Sequence, residues 1–245
     1  MQSKNQPSNK SFLKLALKKQ FIHGICSFSD RWCERCTKTQ HCMSFAYRQH
    51  IKGVDMDLVD NDLANERFWN AIESVLKNKG SFSSFKVDFS ETDEKLITES
   101  ALNYKSQIES WLVENKLVNK EKAGLKLLEY GENEQITFAD CVEIIRRYSS
   151  LIPNKVERSL NEKDERGKNP DITDKLNPYR DNVGSAKVAV IAVERSIAAF
   201  LLLQNELNED EKIISDLMNQ LLEIKNQTLT IFPDAMQFIR PGFDE

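Results

Sequence analysis

The chain has 245 residues, 40% of them apolar and 29% charged, with only eight glycines and six prolines. That balance excludes a collagen-like, low-complexity or mainly disordered polypeptide, and the shortage of turn formers argues against an all-β sandwich. The net charge of −4 speaks against a whole protein devoted to coating nucleic acid, yet residues 1–50 hold nine Lys/Arg and two Asp/Glu, so the rest is strongly acidic.

Residues 1–9 are polar and read as a frayed end. Between Lys10 and Ile22 the apolar Phe12, Leu13, Leu15, Ala16, Leu17, Phe21 and Ile22 recur at helical spacing with lysines between them, which predicts a broad-faced amphipathic helix. Lys14, Lys18 and Lys19 interrupt the apolar run that an export signal requires, so the expectation is a cytoplasmic protein. A solvated basic face set against the acidic remainder is the simplest account of this segment. A contact surface for a protein partner or an acidic surface comes next, and sequence-independent nucleic-acid binding last.

Residues 23–42 read as turns and hold four of the five cysteines: Cys26, Cys33, Cys36 and Cys42, in the pattern C-x6-C-x2-C-x5-C. An odd number of cysteines without an export signal disfavours a disulfide framework. Thiolates are strong donors to zinc and iron, and a two-residue spacer lets one tight turn aim two sulfurs at one ion. Cys33 and Cys36 are expected to form that knuckle, with Cys26 and Cys42 completing a tetrahedron. His23 is an alternative fourth ligand and His41 a weaker one. Lys18, Lys19, Arg31, Arg35, Lys38 and Arg48 lie near in sequence and suit the net −2 of four thiolates around a divalent ion. Zinc in a closed structural site is the first choice and an iron–sulfur cluster the alternative; unmetallated thiols are the third.

The C-x2-C-x5-C portion, Cys33 to Cys42, is similar to part of the auxiliary-cluster motif in the SPASM domains of radical maturation enzymes. That motif expects a further cysteine where this chain has Ala46, and no C-x3-C-x2-C accompanies it, so the chain is not assigned to that family.

An aromatic stretch with Phe45 and Tyr47 follows, of unassigned form. Asp62 is expected to cap a helix carrying Leu63, Phe68, Trp69, Ile72 and Val75 and ending near Gly80, and residues 81–89 alternate weakly as an extended piece. Thr92 opens a helix with Leu96, Ala101, Tyr104, Ile108, Trp111 and Leu112 on its stripe, and a shorter helix is expected around 119–130. Thr137 and Asp140 form a capping-box pattern, with Ile136 and Cys141 as a hydrophobic staple, for a helix whose face is Val142, Ile144, Ile145, Tyr148, Leu151 and Ile152. Pro153 should kink that helix or split it in two.

Residues 161–182, with eleven charges and two prolines, read as a long connection that is either mobile or a partner-binding segment. An apolar helix from Ser185 to about Leu207 follows, and Asn208 restarts another with Ile213, Ile214, Leu217, Leu221, Leu222 and Ile224; a short 232–239 piece closes the chain. The apolar run 188–203 is too short for a bilayer and holds Glu194 and Arg195, so no membrane span is expected.

No glycine-rich phosphate loop, HExxH or Glu-x-x-His pair can be written, and all three histidines lie within the first fifty residues. Glu194 and Arg195, with Asp140, Glu143, Arg146 and Arg147, are expected to form an ion-pair network between helices rather than a pocket for an anionic ligand, Glu143 pairing with Arg147 and Lys187 able to join either arrangement. Cys141 sits on an apolar helix face and reads as a core residue.

The expected whole is an all-α protein: residues 1–60 form an amphipathic helix and four-cysteine metal module, and 61–245 a helical bundle. Its function is read as that of a zinc-binding interaction or regulatory protein, with an iron–sulfur redox or sensor protein as the alternative.

Overall fold

The computed structural model describes residues 17, 20–55, 60–78, 94–115, 127–129, 135–168, 181–204, 207 and 210–244. The predicted helix over Lys10 to Ile22, the extended piece at 81–89 and the heart of the charged connection fall wholly or largely outside them. The described chain is overwhelmingly helical and separates into two compact units: one reaches to Arg67 and includes residues from Ile239 onward, and the other is Phe68–Phe238. The seam thus falls seven residues after the sequence-based boundary, and the C-terminal residues join the cysteine-rich part.

In the first unit, a chain of turns leads through two 3-10 turns, Cys33–Arg35 and Thr39–His41, into helix α1, Met43–Ile51. The aromatic stretch is therefore helical. Ile25, Cys42, Phe45 and Ala46 form a small buried core, with Phe21, Ile22 and Phe243 packed against it. Gly242 is part of that core's construction: its φ is +76°, and a Cβ there would stand 2.7 Å from Ile22 Cδ1. Only glycine satisfies both the left-handed backbone and the close approach.

Helix α2, Asp62–Asn78, buries Phe68, Trp69, Ile72 and Val75 as expected, but Leu63 is exposed. Asp62 is the first helical residue, and its carboxylate is spent on another segment. Helix α3, Glu94–Glu114, runs its buried stripe through Ile97 in place of the predicted Leu96, continuing with Ala101, Tyr104, Ile108, Trp111 and Leu112. The short helix expected around 119–130 is not formed at its end: Leu127–Glu129 is a strand, β1, paired antiparallel with β2, Gln135–Thr137, Leu128 opposite Ile136.

Helix α4, Phe138–Lys168, starts where the capping box places it. Asp140 Oδ2 accepts the Thr137 amide at 3.1 Å, and the Thr137 hydroxyl accepts the Asp140 amide at 3.0 Å. Ile136 and Cys141, the two staple positions, are both buried. The helix runs on through Pro153, so the proline does not separate two helices. It also continues to Lys168, eight residues into the predicted connection.

Helix α5, Asp181–Leu203, begins four residues before Ser185 and is buried on nearly all sides, as its composition requires. Helix α6, Glu211–Ile231, buries Ile214, Leu217, Leu221 and Ile224, with Ile213 exposed. α5 packs on both α4 and α6, and α3 packs on both as well, giving a four-helix arrangement around the apolar α5. Among the described residues no helix is long and apolar enough to cross a membrane.

Candidate functional site

The four clustered cysteines line one pocket in the first unit, together with Ile25, Trp32, Arg31 and Phe243. The enclosed space is about 10 Å³, room for a single water-sized sphere. All four thiols are free, and none of His23, His41 and His50 lines the pocket. The His41 ring instead faces the Gln20 carbonyl, Nδ1 to oxygen 3.3 Å. As the side chains lie, no three His, Cys, Asp or Glu groups among the described residues converge closely enough to hold an ion. The chain thus brings the four cysteines to one cavity without bringing their sulfurs to one point.

The loop geometry follows from local hydrogen bonds. Asp30 Oδ1 accepts the Trp32 amide at 2.9 Å, the side-chain turn characteristic of Asp, and Ser29 Oγ accepts the Arg31 amide at 3.2 Å. Between them Arg31 is held at φ 58°, a left-handed conformation uncommon for a residue with a side chain. The amide of Cys36 then turns back to the Cys33 carbonyl at 3.4 Å, closing the two-residue spacer into a 3-10 turn.

Two residues of α2 that the sequence reading left out of the site hold this loop. Asp62 accepts the Thr39 amide at 3.0 Å, the Thr39 hydroxyl, and the Gln40 amide at 3.2 Å. One turn later, Asn65 Nδ2 donates to the Cys36 carbonyl at 2.9 Å and to the Glu34 carbonyl at 3.3 Å. Asp and Asn three apart on one helix face are the only sequence trace of this clasp, and that spacing alone does not say what it grips.

The sulfurs sit among nitrogen donors. Arg48 Nη2 lies 2.6 Å from Cys33 Sγ. Burial pushes the Cys36 thiol up to about 12, against the pull of the Lys38 amide that faces it. Burial also raises the Cys42 thiol, opposed by the amides of Phe45 and Ser44 at the start of α1. Burial works against the Arg48 charge as well, but the bond to Cys33, with Cys26 and Cys42 nearby, outweighs it and holds the guanidinium firmly protonated. Cys141 differs in kind: it is fully buried in the second unit, burial and Asp140 both raise its thiol, and no donor opposes them.

The charged residues of the bundle form ion pairs. Arg195 donates to Glu73 at 2.9 Å, Lys225 to Glu194 at 2.7 Å, and Arg146 to Glu143 at 2.6 Å, so Glu143 pairs at i,i+3 with Arg146, one residue before the Arg147 that the sequence suggested at i,i+4, which also has interactions of its own. The Lys187 ammonium donates to the carbonyls of Phe238 at 2.6 Å and Met236 at 3.3 Å.

Compared with protein-family models, with curated proteins and with solved structures, the chain matches none.

Proposed function

We propose that Cys26, Cys33, Cys36 and Cys42 bind one zinc ion that acts as a staple for the first unit, and that the protein works as an interaction or regulatory protein rather than through chemistry at the metal. Zinc held by four protein ligands has no open coordination position. The observation that carries the reading is that Cys26, Cys33, Cys36 and Cys42 line one pocket, with the Arg48 guanidinium on the Cys33 sulfur. A cation at a thiol favours thiolate, the form that ligates metal. Among its described residues the first unit buries Ile25, Phe28, Trp32, Phe45 and Ala46 beside Cys42, a small apolar set to which metal binding adds folding energy.

The test is elemental analysis and an absorption spectrum of the full chain purified without oxygen. The expected product is colourless and contains one zinc per chain, lost in the variant with all four cysteines changed to serine. Iron with visible absorbance replaces zinc by an iron–sulfur centre and a redox role, and protein free of both metals overturns the reading.

A further inference from the structure

Arg48 occupies a particular place in the first unit. It lies on α1, which begins directly after Cys42, so the helix ties the arginine rigidly to one of the four cysteines. Its Nε donates to the Ser44 carbonyl at 3.3 Å, one turn back, and this fixes the side chain while Nη2 reaches Cys33 Sγ at 2.6 Å. The guanidinium thus connects the fourth cysteine of the motif to the second through one side chain and less than two turns of helix. Arg31 and Lys38 line the pocket, and the guanidinium of Arg48, on the neighbouring helix, meets the Cys33 sulfur.

Four thiolates around a divalent ion leave a net −2, and a cation bonded to one sulfur removes half of that excess. The bond also selects among the ligands, since a sulfur that shares its lone pair with an N–H donor gives less charge to the metal than its three neighbours. Groups behind the ligands that orient and neutralise them typically contribute 10–100-fold to metal affinity.

We infer that Arg48 is a positioning residue of the cysteine centre, holding the Cys33 sulfur for ligation and neutralising part of the ligand charge. This rests on the zinc reading above. Lysine at the same place keeps the charge but lacks the planar fork, so it restores only part of the effect. A lost charge elsewhere on the helix does not reproduce it. Lys52, exposed at the end of α1, provides that comparison.

The experiment measures zinc affinity of the full chain by chelator competition at fixed pH and salt, for the wild type, R48Q, R48K and K52Q. Cobalt loading supplies a second readout, because the sulfur-to-cobalt charge-transfer absorption reports the ligand sulfurs themselves. The expected result is zinc binding weakened roughly 10–100-fold in R48Q, an intermediate value in R48K, K52Q near the wild type, and a displaced cobalt band in R48Q alone. A variant that merely folds poorly loses band intensity without moving the band. R48Q binding zinc as tightly as the wild type, or R48Q and K52Q weakening alike with no band shift, overturns the role of Arg48 and leaves the zinc reading standing. A wild type that takes up no zinc overturns the zinc reading first and this inference with it.

Discussion

The guanidinium of Arg195 lies over the ring of Trp69, its carbon 3.8 Å from the ring centroid. The same group donates to Glu73 at 2.9 Å and to the Tyr148 hydroxyl at 3.3 Å, while Trp69 and Tyr148 stack with their centroids 6.1 Å apart. This explains how a charge sits in the middle of the most apolar helix: the aromatic face and the carboxylate replace the water that burial removes.

The two partners in that ion pair should not be equivalent. The Arg195 side chain is 14% exposed and that of Glu73 is 43% exposed. Arg195→Met is expected to cost about 2 kcal/mol through the lost ring contact and packing, and Glu73→Gln less than about 1 kcal/mol because its carboxylate stays half in water. Urea unfolding followed by tryptophan fluorescence measures both, and an equal or reversed ranking would show that the ring contact contributes little.

The start of α4 offers a cleaner local test. Thr137→Ala removes the hydroxyl that receives the Asp140 amide and should lower bundle stability by about 1 kcal/mol. Thr137→Ser, which keeps the acceptor, should lose far less in the same denaturation assay.

Alkaline pH should weaken the bundle. Cys141 and Tyr104 are fully buried, and burial holds both in their protonated forms well above their ordinary ranges. In the unfolded chain they ionise near about 8.5 and about 10. Above those values the unfolded state releases protons that the folded state keeps, so the stability these groups contribute is intact below about pH 8.5 and is lost as pH rises. Tyr104→Phe should flatten the decline above about pH 10. A denaturation midpoint unchanged across that range would contradict the burial of both groups. Native protein should also resist alkylation at Cys141 until it unfolds.

The clasp from α2 makes the cysteine loop dependent on residues that carry no sulfur. Asp62→Ala leaves the Thr39 and Gln40 amides without their acceptor, a loss of roughly 1–3 kcal/mol for the loop. Hydrogen exchange of residues 30–42 should rise in Asp62→Ala, and to a similar extent in Asn65→Ala. It should rise again when a strong chelator is added to the wild type, while α4 stays protected. Exchange in the loop that ignores both the variants and the chelator would show that neither the clasp nor a metal supports it.

Elements whose signal is local and repeated were readable in the residues. Thr137 and Asp140 announced the start of α4 because both halves of the capping box lie within four positions, and the stripes of α3 and α6 needed only the helical period. Neighbouring apolar residues defeated the finer reading: at Leu96 and Ile97, or Ile213 and Ile214, a one-residue rotation decides which side chain is buried, and tertiary packing makes that choice. Strand β1 was taken for helix because three residues carry no period, and only pairing with Gln135–Thr137 makes them a strand. The charged stretch from residue 161 reads as connection in sequence, whereas α4 runs on to Lys168 and α5 begins at Asp181.

The cysteine cluster was visible as a spacing, but its surroundings were not. The Asp62 and Asn65 clasp spans more than twenty positions of chain, and the thiol nearest a cation is set by an arginine fifteen residues away. Contacts at such separations leave no periodic trace. The pairing of Lys187 with the Phe238 and Met236 carbonyls is of the same kind.

Gly242 and Phe243 press against Ile22 and Ile25 and wall the sulfur-lined pocket, though more than two hundred positions separate them from the first cysteine. The compartment around these thiols is therefore built from stretches far apart in the chain. Such a closure between distant stretches is costly to form, so a fragment cut before Ile239 is expected to let an alkylating reagent reach the neighbouring thiols faster than in the 245-residue chain.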